Sequence, residues 1–221
     1  LDVTKLTTAQ VGGLSTTAIT NLTDTQVGAL AATQVASLTA TEFGALTSTE
    51  VQAFTTTQAN ALTSTQLGSL TTTAIGNFST TQLGALSSTQ VSGLTTTQLN
   101  ALSTGSLDAL DVTKLTTAQV GGLSTTAITN LTDTQVGALA ATQVAKLTAT
   151  EFGALTSTEV QAFTTTQANA LTSTQLGSLT TTAIGSFSTT QLGALSSTQV
   201  SGLTTTQLNT LSTGNLRSEE H

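Results

Sequence analysis

The sequence predicts an all-α solenoid, a continuous coil of very short capped helices with one helix in every eight-residue repeat. Three observations predict it. An octad recurs without slip from Thr7 to Leu110, the pattern inside an octad is that of a helix start, and its main apolar positions lie three residues apart.

The first half divides into thirteen octads, from TTAQVGGL to STGSLDAL. Position 8 is always Leu or Phe, position 5 is apolar if Ala59 is counted, and position 1 is Ser or Thr except at Ala31. In the octad TTTQLNAL, Thr95 is the expected N-cap and Gln98 the third helical residue. The Thr95 hydroxyl can then accept from the Gln98 amide while the Gln98 side chain reaches back to the Thr95 amide, which is a capping box. Leu94 and Leu99 take the two places of a hydrophobic staple, and Leu102 is the core residue that closes the unit. Gln or Glu stands at position 4 in ten of the thirteen octads, so the same start is written repeatedly.

A helix of about seven residues spans roughly 10 Å. Nucleation is too unfavourable for such a helix to persist alone, so each unit must bury its apolar edge on its neighbours. Small residues at positions 6 and 7, such as Gly84 and Ala85, predict close backbone approach, and Gly or Asn there predicts an easy exit from the helix. Odd and even octads are alike in composition, which points to a coil of near-equivalent helices rather than a two-faced stack. The alternative is a β-solenoid with the T-x-T runs as threonine ladders. Positions 5 and 8 would then point to opposite faces of a strand, which disfavours it.

Residues 110–216 restate residues 1–107 with few changes, such as Ser37 against Lys146 and Asn77 against Ser186. The expected organisation is a first copy at 1–109, a second copy at 110–216 stacked on the first, and a vector-derived tail at 217–221. At the seam, LDALDVTKL shortens one octad by three residues.

Residue types that carry chemistry are scarce. Without Cys there is no thiol nucleophile, thiolate site or disulfide. The single histidine, His221, lies in the tail, so neither a Ser-His-Asp arrangement nor a His-based metal site is expected. Asp108 and Asp111, at the seam, form the closest acidic pair outside the tail and read as helix caps before a weak calcium site. Glu42, Glu50, Glu151 and Glu159 replace Gln in the capping box, a simpler reading than paired acid–base carboxylates. No Gly-Lys-Ser/Thr loop is present, and Phe43, Phe54 and Phe78 occupy core positions. The chain is therefore expected to be no enzyme and to need no cofactor or metal.

A net charge of −7 opposes nucleic-acid binding. No apolar run is long enough to insert in a membrane, and LDVTKL lacks a signal-peptide pattern. The expected partners are neighbouring repeats of a longer array, with end-to-end self-association through open solenoid ends.

The phrases TTTQLNAL and STTQLGAL resemble Thr/Gln-rich tracts of very large bacterial surface or secreted proteins of the adhesin-like, "haem utilisation or adhesion" kind. The resemblance covers nearly the whole chain and implies an extracellular or cell-surface setting, with no functional residues carried over. A shorter likeness to the first helix of TAL-effector repeats stops short of that family's second helix and base-reading loop. The function expected is a non-catalytic structural spacer or stalk. The alternatives are a Thr-lined surface for ice or a glycan, and an engineered repeat scaffold.

Overall fold

A computed structural model describes residues 2–211, and the tail at 217–221 lies outside them. Among the described residues there are 25 α-helices of four to six residues and two three-residue 3-10 helices, with no strand. The protein is an all-α solenoid of short helices. The T-x-T runs are N-caps and first helical turns, because each Thr or Ser at position 1 holds the extended backbone of a cap; Thr95 has φ −79° and ψ 155°.

The helices are shorter than the seven residues expected. Position 8 has already left the helix, as at Leu102 with φ −67° and ψ 144°, so that two extended residues, Leu102 and Ser103, form each corner.

The described residues form two compact units that part between Lys114 and Leu115. In the first, helix Thr8–Val11 packs on Ala32–Val35, which packs on Thr56–Ala61. In the second, Thr117–Val120 packs on Ala141–Val144, which packs on Thr165–Ala170. Each step from one packed helix to the next is 24 residues, since Thr8 leads to Ala32 and Thr117 to Ala141, so three octads make one turn.

Positions 5 and 8 point inward on every side of this three-sided coil. Leu94, Leu99 and Leu102 are 3%, 0% and 5% exposed, and the same positions are buried in most other octads. Complete burial of a Leu or Val removes about 1.5–3 kcal/mol of apolar surface from water. Repeated at every corner, this is the term that holds such short helices. The aromatic residues join the same core: Phe43 stacks on Phe54 and Phe78 with ring centroids 5.7 and 6.1 Å apart, and Phe152 stacks on Phe163 at 5.9 Å.

The helix exits differ from the sequence expectation. No described residue has a positive φ, so neither Gly nor Asn ends a helix in the left-handed region. The next residue must already be an extended N-cap, and the chain passes straight from right-handed helix to extended corner. The position 8 amide closes the exit by donating to the position 5 carbonyl, as Leu102 N–H does to Leu99 O at 3.3 Å.

Glycine serves the close approach expected of it at some of these positions. A Cβ on Gly68 would lie 2.5 Å from the Gly93 carbonyl oxygen one turn on, whereas a Cβ on Gly76 would meet nothing within 4 Å. Gly68→Ala should therefore lower the thermal midpoint through overpacking of about 1–3 kcal/mol. Gly76→Ala should raise it slightly, by about 0.4–1 kcal/mol, because the chain loses unfolded-state freedom and gains helix propensity. Thermal melts of the two variants test this pair of opposite signs.

Candidate functional site

The recurring chemical unit is the corner between two helices. Thr95 Oγ1 accepts from the Gln98 N–H at 3.2 Å, and Gln98 Oε1 accepts from the Thr95 N–H at 2.7 Å. Thr95 and Gln98 thus form a capping box, with Leu94, Leu99 and Leu102 buried beneath it. At Ala31 and Ala140 no side-chain oxygen exists, and only the reciprocal half survives: Gln34 and Gln143 each accept from the alanine N–H at 2.6 Å.

The Gln amide has a second half, and it crosses to the turn below. Gln98 Nε2 donates to Leu67 O at 2.7 Å and to Leu70 O at 2.8 Å, 31 and 28 residues earlier. Gln82 does the same to Val51 O and Phe54 O at 2.9 and 2.7 Å, and Gln90 to Ala59 O and Leu62 O at 3.0 and 2.8 Å. The acceptor 28 residues back is the position 8 carbonyl, which the extended corner leaves without a helical partner. One side chain therefore caps its own helix and staples it to the preceding turn.

Sequence reasoning found the first role and missed the second. The signal was present in the excess of Gln over Glu: position 4 holds Gln at residues 10, 26, 34, 58, 66, 82, 90 and 98 but Glu only at 42 and 50 in the first copy. A capping box accepts either residue. Only the amide also donates.

The exceptions obey the same chemistry. Glu42 and Glu50 keep the box, each Oε2 accepting from the N-cap amide at 2.6 Å, but a carboxylate has no hydrogen for the carbonyl below. Ala74 and Ala183 keep neither half, although the Thr71 and Thr180 hydroxyls still cap at 3.1 Å. At the shortened octad a lysine substitutes: Lys114 Nζ donates to Leu86 O at 2.8 Å, again 28 residues back.

All six Phe fall in octads whose position 4 is Glu or Ala: Phe43, Phe54 and Phe78 with Glu42, Glu50 and Ala74, and Phe152, Phe163 and Phe187 with Glu151, Glu159 and Ala183. In these octads a larger apolar side chain fills the core, whereas the octads of Ala18, Ser106 and Ala127, which also lack a position 4 Gln, carry only Leu and Ile there.

The acidic pair separates in role. Asp111 is a cap, its Oδ1 accepting from Thr113 Oγ1 at 2.6 Å and Thr113 N–H at 3.1 Å, whereas Asp108 is the last residue of helix Thr104–Asp108 and not the N-cap expected. The Thr113 hydroxyl holds the Asp111 carboxyl below its ordinary range, opposed by partial burial and assisted by the Thr113 amide and the Lys114 charge. Lys114 lies 3.9 Å from the carboxylate, a long contact of small value. Asp2 repeats the arrangement, with the Thr4 hydroxyl as the leading cause.

Among the described residues no group of three or more His, Cys, Asp or Glu is placed to hold a metal ion, and no helix is long and apolar enough to cross a membrane. Every buried side-chain polar atom among them has a hydrogen-bond partner. Residues 72–104 match the ALTTAQ repeat family model, a stretch that runs from helix Thr72–Gly76 through Thr96–Ala101 and spans one full turn of the coil. This is a tandem-repeat region. No curated protein matches the chain.

Two predictions follow from the corner. Gln98→Glu keeps the box and removes both inter-turn bonds, so it should cost roughly 2 kcal/mol, more than the roughly 1 kcal/mol of Thr95→Ala. Urea melts of the two variants rank them. A carboxyl depressed in the folded state stabilises above its unfolded value and loses that effect as pH falls through its folded one. Asp111→Asn should therefore melt slightly below the parent at pH 7 and converge with it below roughly pH 4, as followed by thermal melts against pH.

Proposed function

We propose that the chain is a non-catalytic spacer, a repeat module that sets distance or stiffness in a bacterial surface or secreted adhesin-like protein. The observation that carries this reading is the use of the polar side chains. Thr, Ser and Gln of successive octads are engaged in capping their own helices and stapling one turn to the last, as in Thr95 and Gln98.

Several further features support it. The octads resemble the Thr/Gln-rich tracts of large surface proteins, and the match to the ALTTAQ repeat agrees with a modular array. The reading assigns no cofactor and no metal. A net charge of −7 speaks against a nucleic-acid partner, and the partners proposed are neighbouring repeats, including end-to-end contacts between arrays. The proposed location is extracellular or on the cell surface.

A spacer must lengthen in proportion to its copy number. Small-angle scattering of one, two and three tandem 109-residue copies should give a maximum dimension that rises linearly. Growth close to the square root of copy number is the behaviour of a flexible string and would sink the proposal.

One observation favours a second reading. Thr49, Thr73 and Thr97 are exposed and 24 residues apart, the length of one turn of the coil. Such a spacing could meet an ordered target such as ice or a glycan. An ice-recrystallisation assay without effect at high protein concentration removes the ice version.

A further inference from the structure

The staples are graded along each copy. Position 4 of the turn formed by residues 34, 42 and 50 carries one Gln staple, from Gln34 to Val3 O and Leu6 O, with Glu at the other two corners. The next turn, 58, 66 and 74, carries two, from Gln58 and Gln66. The turn after it, 82, 90 and 98, carries three. The second unit repeats the order: Gln143 alone, then Gln167 and Gln175, then Gln191, Gln199 and Gln207.

At the sparse turn the inter-turn donor is missing at both Glu corners. Glu42, Glu50, Glu151 and Glu159 are 3–7% exposed, and the acceptors 28 residues back would be the carbonyls of Leu14, Leu22, Leu123 and Leu131 (42 − 28 = 14, and likewise for the rest). Each carboxylate keeps its bond from the N-cap amide and has no hydrogen to give those carbonyls.

We propose that these Glu-bearing turns, residues 39–54 and 148–163, are built-in joints at which each copy of the array opens first. The gradient gives the opening a direction, from the sparse turn toward the fully stapled one. The Phe43 cluster opposes it on the core side. Phe replaces residues of similar apolar character, so the gain from burial is small beside two lost donors at each of two adjacent corners. Cation binding as the explanation is disfavoured, because each carboxylate sits in the first turn of a helix, where the exposed N–H groups already serve it. The inference stands on the staple geometry and does not depend on the spacer reading.

Hydrogen exchange followed by mass spectrometry on the full chain tests it. Residues 38–62 and 147–171 are identical in sequence, so their peptides report both joints together. After correction for intrinsic rates, peptides covering 39–54 should exchange roughly tenfold or more faster than those covering 87–102. The fourfold variant E42Q/E50Q/E151Q/E159Q should slow the first set roughly tenfold and leave the second unchanged. Equal protection in the parent, or a fourfold variant whose 39–54 peptides exchange as before, overturns the proposal. Should that variant misfold by circular dichroism, Q90E/Q98E supplies the converse: exchange of the 87–102 peptides must accelerate, and no acceleration also overturns it.

Discussion

The structure depends on one amide group used twice. A four-to-six-residue helix cannot repay its own nucleation, and an extended corner every eight residues leaves a carbonyl with no helical partner. The position 4 Gln answers both, its oxygen taking the N-cap amide and its nitrogen giving to the carbonyl 28 residues back. Three octads per turn are what bring those two corners into register. Burial of Leu and Val supplies most of the energy, and the amide ties each such corner to the one a turn below.

The layout of the coil was legible in the sequence where the physics is local. Thr95, Gln98, Leu99 and Leu102 could be assigned to cap, box, staple position and core because a capping box is a contact over three residues, and the spacing of positions 5 and 8 decides helix against strand. The number of helices per turn was not legible, since it is fixed by contacts across 24 to 31 residues that no single octad encodes. Of the two roles the sequence suggests for Gly, close approach and helix exit, the structure shows the first and not the second. Its freedom at positive φ suggests helix exits, yet at Gly68 the deciding neighbour is the Gly93 carbonyl, invisible until the turns are stacked. The donor half of Gln left a trace in composition, the preference for Gln over Glu, which capping alone does not explain.

The Gln staple and the Phe residues occupy different octads. Octads with a Gln staple have aliphatic cores, and every Phe sits in an octad without one. Hydrogen bonds and apolar burial differ in temperature dependence, so two kinds of joint coexist in a molecule whose octads otherwise look interchangeable.

That exception bears on how such a chain finds its winding. An array of equivalent octads offers many alternative pairings in which every box forms and every corner stacks, each offset by a whole octad. The Phe43–Phe54 and Phe43–Phe78 stacks exist only when octads five, six and nine of the copy are brought together, which winding by three achieves. The aromatic cluster therefore acts as an index mark in an otherwise degenerate code, and the shortened octad at Asp111–Lys114 supplies a second. Without them a correctly capped, fully buried coil could still be wound out of phase with itself.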